Sequence, residues 1–182
     1  MLVPEVPMSH SVAGEPPIAG RRAVPLTDAA YSAREWDLLA SLPSWTVVVA
    51  ATQAPVRGVA AGLAGLDAVA AGRSFDSDLV RAVVATIYAR HDGSASASSG
   101  RLADGWPRRT THRATAAELL AVARTAVRLL ERRADPADSA AYRQWVQSVA
   151  ARVCHAGPGQ AGRVALSDRR FLDRLGDALG LG

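Results

Sequence analysis

Lysine and asparagine are absent from the sequence, so all 21 basic residues are arginine. Together with the abundance of alanine and glycine, this absence indicates GC-biased coding, which is typical of a high-GC bacterium. The 182 residues carry a formal net charge of +4. The isoelectric point of about 10.2 is high partly because arginine titrates above about 12. The basic balance therefore does not by itself indicate a nucleic-acid partner.

Cysteine and long apolar runs are also scarce. The single cysteine, Cys154, excludes an intramolecular disulfide, and its neighbours Val149 and Val153 predict a small buried hydrophobe rather than a reactive thiol. No stretch approaches about 20 uninterrupted apolar residues, so no transmembrane helix is expected. Residues 1–20 lack a basic region followed by an apolar run, so no signal peptide is expected and a cytoplasmic location is the default.

Sequence signatures of catalysis and metal binding are missing. The chain has no P-loop, no G-x-S-x-G elbow and no G-x-G-x-x-G following a strand. No two histidines have the spacing of a closed zinc site; they are His10, His91, His112 and His155. We therefore expect no catalytic residue, no metal, no cofactor and no enzymatic activity, although the fold could still assemble an acid–base pair.

Apolar residues at helical spacing are the strongest feature that is present. Four stripes each mark one helix face: Leu79, Val80, Val83, Val84, Ile87 and Tyr88; Leu119, Leu120, Ala123, Ala126, Val127 and Leu130; Tyr142, Trp145, Val146, Val149 and Val153; and Phe171, Leu172, Leu175, Ala178 and Leu179. With 49% hydrophobic residues, the chain can fill one core. We predict an all-α fold, a single compact bundle of about seven helices in two halves, with Trp36, Trp45 and Trp145 in the core.

Proline, serine and glycine divide the chain. Residues 1–25 contain five prolines, which deny helix and sheet hydrogen bonds and predict a disordered tail. The helical domain is expected over residues 26–182. Its halves, 26–91 and 114–182, are joined by a Ser/Gly-rich segment, 92–113, which is predicted to be a mobile loop.

Local signals predict where individual helices begin and end. The first helix is expected to begin at Thr27, and Pro43 is expected to end it or to begin the next one. Residues 44–50 fit either a strand or a helix, and we favour a helix because no second strand is available to pair with it. The remaining expected boundaries are Asp76 as an N-cap with a Phe75–Val80 staple, an end near Arg90, Asp135 as an N-cap before Pro136, Ser167 as an N-cap, and an end at Gly180.

Residues 56–71 combine helical spacing with glycine. Val59, Leu63, Leu66 and Val69 follow one helix face, and three glycines, Gly58, Gly62 and Gly65, lie along the same segment. Each interior glycine costs a helix about 1 kcal/mol relative to alanine. We interpret the glycines as a surface for close helix packing rather than as a hinge.

Two segments carry a resemblance to a known family. They comprise Leu42-Pro43 with residues 47–51, and residues 149–151 leading through a loop to 164–168, Phe171-Leu172, Leu175 and 178–180. In these segments the chain resembles the helical TerB-like (tellurite-resistance-type) domains and their uncharacterised actinobacterial relatives. The resemblance implies a helical fold and a role in a stress response.

The sequence departs from that family at its acidic positions. TerB-like domains carry an acidic loop and a downstream glutamate that are linked with divalent cations. The corresponding loop here, residues 52–57, has no carboxylate, and in the second half only Asp168 remains, beside Arg169 and Arg170. The departure puts cation binding at these positions in doubt, so the resemblance implies a divergent member.

Arginine forms the clearest surface pattern. Arg124, Arg128 and Arg132 are spaced i, i+4, i+8, and Arg113 and Arg133 lie before and at the end of the same helix. Such a stripe could track phosphates, but a solvated helix face is the favoured interpretation. In the predicted loop, Trp106 followed by Arg108 and Arg109 could anchor a partner, stack on a base or fold back onto the domain.

These patterns favour a non-enzymatic cytoplasmic interaction or scaffold domain over other classes of protein. The expected partner is another protein or a second copy of the chain, and no membrane contact is expected. Two alternatives remain open: a nucleic-acid-associated protein that uses the arginine stripe, and a divergent TerB-like stress protein.

Overall fold

The computed structural model describes residues 31–52, 58–97, 115–156 and 165–182. Within these ranges the protein is all-α, as predicted, with six α-helices and no strand. The helices are α1 (Ala33–Thr52), α2 (Gly58–Ala71), α3 (Asp78–Ala97), α4 (Ala116–Arg133), α5 (Pro136–His155) and α6 (Leu166–Ala178), with a short 3-10 turn, Gly72–Ser74, after α2. The predicted tail 1–25 and the predicted helix start at Thr27 lie outside the described residues.

Pro43 does not end a helix, and that prediction was wrong. It lies buried inside α1, which continues through residues 44–50, so the helical interpretation of that segment is confirmed. Proline has no backbone N–H, and the carbonyl of Leu39, four residues earlier, therefore lacks its usual helical donor. The hydroxyl of Tyr142 on α5 donates to that carbonyl at 2.8 Å instead. A tertiary hydrogen bond thus replaces the one that the helix cannot make.

Helix α5 lies at the centre of the bundle and packs against each of the other five α-helices. Trp145 of α5 is only 1% exposed, and its Nε1 donates to the carbonyl of Ala68 at 3.2 Å. Its ring meets that of Tyr142 edge-on, with centroids 5.9 Å apart. Trp36 and Trp45 are half-buried against the same core. Cys154 is buried, as its neighbours predicted.

Side-chain caps fix several of the helix ends. Asp135 accepts from the amide of Ala137 and precedes Pro136, which confirms the predicted start of α5. Helix α4 begins with a capping box, in which the side chains of Thr115 and Glu118 each accept from the other's backbone amide. These caps satisfy amides that have no partner within the helix.

Three predicted boundaries were wrong. Ser77, not Asp76, caps α3, because α3 begins at Asp78 and the Ser77 hydroxyl accepts from the amide of Val80. Helix α6 begins at Leu166, and no side chain caps it, so Ser167 is not an N-cap. Helix α3 also runs past Arg90 to Ala97, into the segment predicted as a loop. Ala95 and Ala97 are the residues of this extension that favour a helix, because alanine has the highest helix propensity.

The Tyr142 hydroxyl gives a testable prediction. We expect Tyr142→Phe to lower the free energy of unfolding by about 1–3 kcal/mol, because the buried carbonyl of Leu39 then loses its donor. Pro43→Ala restores a backbone N–H at the position that normally serves this carbonyl. In that background the same Tyr142→Phe change should cost less.

Urea unfolding of the two single variants and the double variant measures this coupling. An equal cost of Tyr142→Phe in both backgrounds would show that the hydroxyl does not replace the missing helical bond.

Candidate functional site

Helix α2 has large apolar side chains on the outside and small ones on the inside. Its buried residues are Ala61, Gly65, Ala68 and Val69. Three larger side chains on the opposite face are exposed: Val59 by 79%, Leu63 by 58% and Leu66 by 56%. We call Val59, Leu63 and Leu66 the α2 strip. The predicted helix is confirmed, but most of its larger apolar residues do not contribute to the core.

Gly65 accounts for this orientation. A Cβ atom at Gly65 would lie 2.5 Å from Cγ1 of Val47 and 2.9 Å from Cγ2 of Val153. The backbone of α2 therefore lies directly against α1 and α5, with no room for a side chain. This confirms close packing as the role of glycine at this position. Because Gly65 and the two buried alanines share one face, the strip on the other face is held outward.

Gly62 and Gly58 differ from Gly65. A Cβ atom at Gly62 would meet nothing within 4 Å, so close packing within the chain does not explain this glycine. Gly58 begins α2 with a φ of +45°, a left-handed conformation that side-chain-bearing residues rarely adopt. Gly62 therefore remains a helix-weakening residue without a role inside the bundle, next to the exposed Leu63.

Charge on α2 is confined to one position. Asp67 is the only ionisable residue of the helix, and it is exposed. The strip itself has the i, i+4, i+7 spacing of a seam between two helices. The signal that could have located it is the spacing of Ala61, Gly65 and Ala68, which marks a competing face of small residues on the same helix.

The arginine stripe occupies an exposed face of α4. Arg124, Arg128 and Arg132 are all exposed, on the side away from the buried leucines of the helix. Arg128 donates to the hydroxyl of Thr125 at 3.1 Å. The i, i+4, i+8 spacing extends over about 12 Å of helix. Arg133 does not belong to this face, because its guanidinium contacts the carboxylate of Glu35 at 3.2 Å.

The other predicted site residues cannot be placed. Arg113, Trp106, Arg108 and Arg109 lie outside the residues that the structure describes. The predicted loop anchor therefore stays a prediction.

A polar cluster that the sequence did not reveal lies where α1, α3, α4 and α5 meet. Ser77 donates to the carboxylate of Asp138 at 2.7 Å while it caps α3. Hydrogen bonds from Ser32 lower the pKa of the Glu35 carboxyl, and the charge of Arg133 lowers it further. Burial, and then the charge of Asp138, raise the pKa of Tyr31. The bonds of Ser77 fasten helix ends together, which is a structural role rather than a nucleophilic one.

No cluster of three or more histidine, cysteine or acidic side chains in the described ranges could hold a metal ion. No helix there is long and apolar enough to cross a membrane.

Comparisons with protein-family models, with curated proteins and with solved structures found no match. The TerB-like resemblance accordingly stays a prediction from the sequence. Of the positions that it involves, Asp168 is fully buried in the first turn of α6, whereas Arg169 and Arg170 are exposed.

Proposed function

We propose that this protein is a non-enzymatic interaction domain that binds another protein chain through the α2 strip. One observation carries the proposal: three large apolar side chains are exposed on one helix face, while small residues of the same helix fill the core. The cytoplasm is the proposed location.

Burying the α2 strip against a partner chain is favourable. Removing a valine or leucine side chain from water is worth about 1.5–3 kcal/mol when burial is complete. A rotated α2 would bury these side chains, but the contact at Gly65 with Val47 and Val153 leaves no room for them. Single exposed leucines are ordinary, whereas a contiguous apolar face is typical of a docking surface.

The mode of binding that fits is helix against helix. Side chains at i, i+4 and i+7 present one continuous ridge, which packs into the groove of an amphipathic helix. The partner's contact face would be apolar.

The arginine stripe supports a second candidate, a nucleic-acid-associated protein. Arg124, Arg128 and Arg132 hold three guanidinium groups on one exposed face of α4. Groups placed in this way can contact successive phosphates, and such binding weakens steeply as salt rises. The acidic Glu131 lies exposed among them on the same helix, which weakens the local field. We therefore place this candidate second.

Capture from an extract of the source organism tests both candidates. The full chain is immobilised as wild type, as Leu63→Glu and as Leu166→Glu. Leu166 is a matched control, because it is also an exposed leucine, 71% exposed, but lies on α6. Nuclease-treated and untreated extracts are compared at low and high salt by mass spectrometry.

The chain is immobilised at a density that exceeds the dissociation constant of a weak contact, and we expect the wild type and Leu166→Glu to retain a protein, a second copy of the chain included, through nuclease and high salt. Leu63→Glu should lose at least about tenfold of it, because a carboxylate cannot be buried in an apolar contact. Equal capture by all three proteins would contradict the role of the strip. Nucleic acid that copurifies, with every partner lost on nuclease or salt, would instead favour the arginine stripe.

A further inference from the structure

We propose that the chain that covers the α2 strip is a second copy of this protein, paired through α2 in antiparallel orientation about a two-fold axis. This inference rests on the proposed function and goes further, because it identifies the occupant. It follows from three properties of α2: the order of its exposed side chains, the open position at Gly62 and the place of its one charge.

The α2 strip is complementary to itself. A two-fold axis that passes between Gly62 and Leu63 pairs each residue of α2 with one residue of the second copy, such that the two residue numbers add up to 125. Val59 then packs on the second copy's Leu66, and the two Leu63 side chains meet beside the axis. Each exposed apolar side chain of the strip thereby gains an apolar partner. A two-fold contact of this kind uses one surface patch twice, as most homodimers do.

Gly62 supplies the room that this pairing needs. On the helical wheel it lies on the flank of the strip, next to the proposed axis, so the two Gly62 residues approach each other across it. A Cβ atom there would meet nothing within the chain, and interior glycine nevertheless weakens a helix. Close approach of a second helix backbone explains why glycine stands at an open position. Small residues at such a crossing let two helices pack closely.

The single charge of α2 also fits the antiparallel orientation. In this pairing Asp67 lies beside the first turn of the second copy's α2, which begins at Gly58. Helix N-termini carry free N–H groups and a partial positive charge, so a carboxylate there is favourable. The position of Asp67 is therefore compatible with the antiparallel arrangement and favours it.

The size of the contact predicts a weak dimer. Helix α2 has 14 residues, which corresponds to a length of about 21 Å. One helix pair of that length falls below the roughly 1,200 Å² of a standard interface. We therefore expect a dissociation constant on the order of 10–100 µM, with monomers dominating in dilute solution.

Sedimentation equilibrium of the full chain, up to about 200 µM, tests the proposal. The wild type and Leu166→Glu should dimerise with the same constant. Leu63→Glu should weaken dimerisation at least about tenfold, because two carboxylates then meet beside the axis. Gly62→Ala should also weaken it while leaving the monomer folded, since the added methyl has free space within the chain. Circular dichroism of each variant checks the fold.

Cross-linking locates the contact. A short bis-maleimide should join two copies of Leu63→Cys at high concentration and leave Leu166→Cys monomeric. The wild type is the control for cross-linking through the native thiol of Cys154, which is buried. Equal cross-linking of both cysteine variants would overturn the proposed axis.

The possible results separate this inference from the proposed function. A wild type that stays monomeric up to about 200 µM overturns the second copy as occupant. If Leu63→Glu still loses a captured protein in that case, the strip remains a docking surface for a different chain. A dimer that Leu63→Glu leaves intact overturns this inference, and equal capture by all variants contradicts the proposed function.

Discussion

Replacing Trp145 with alanine should lower the free energy of unfolding by about 3–5 kcal/mol, the range for removing a large aromatic side chain from a packed core. Trp145 is almost fully buried, lies edge-on to Tyr142 and donates to the carbonyl of Ala68. It also fills the space beside Gly72, where a Cβ atom would lie 2.8 Å from the indole Nε1 and Cε2. The change therefore leaves a cavity where α5 meets α2 and removes the indole hydrogen bond to the Ala68 carbonyl.

Trp36→Ala is the matched control, because Trp36 is half-buried on α1 and its Nε1 donates to Thr86 at 3.1 Å. It should cost less, since part of the side chain is already in water. Urea unfolding followed by circular dichroism gives both free energies. Equal losses for the two variants would show that α5 is not the centre of the core.

A pair of alanine substitutions on α2 should change stability in opposite directions. Gly65→Ala should destabilise the protein by about 1–3 kcal/mol, because the added methyl overlaps Val47 and Val153. Gly62→Ala should stabilise the monomer by up to about 1 kcal/mol, because alanine favours the helix and meets no neighbour within the chain.

Thermal unfolding at a concentration well below the expected dimerisation range measures both changes. The two substitutions are chemically identical and lie three residues apart on one helix, so their difference reports the environment alone. Two changes of the same sign would refute the orientation of α2.

The sequence predicted the helices well because their apolar periodicity is local. The stripes that begin at Leu79, Leu119, Tyr142 and Phe171 each fall on a helix, and Asp135 caps α5 as its position before Pro136 predicted. Both kinds of signal depend on residues a few positions apart. These local signals therefore predict the same helices however the helices pack against each other.

Pro43 shows where local reasoning fails. Helix α1 continues past Pro43 because the hydroxyl of Tyr142 donates a hydrogen bond to the carbonyl of Leu39. Tyr142 lies 103 positions from Leu39 in the sequence. No sequence pattern near Pro43 indicates that Tyr142 is the donor. The expectation that Pro43 ends a helix is wrong because the hydroxyl of Tyr142 replaces the hydrogen bond that proline cannot donate.

The orientation of α2 could not be predicted for a different reason. Two faces of the same helix compete, one with valine and leucine and one with glycine and alanine. Counting apolar area favours burial of the first face. Close approach at Gly65 to Val47 and Val153 favours the second, and only the positions of α1 and α5 decide between them. Whether the α2 strip is exposed depends on which of the two faces of α2 is buried.

The bond between Tyr142 and Leu39 also constrains the order of folding during synthesis. The middle of α1 leaves the ribosome long before α5 exists, and during that interval the Leu39 carbonyl must rely on water. An isolated α1 should therefore fray around Pro43, and a truncated chain that ends before α5 should hold α1 only loosely. The core of the fold can form only after α5 has been synthesised, because α5 packs against each of the other five α-helices. The cooperativity of folding therefore depends on the C-terminal third of the chain.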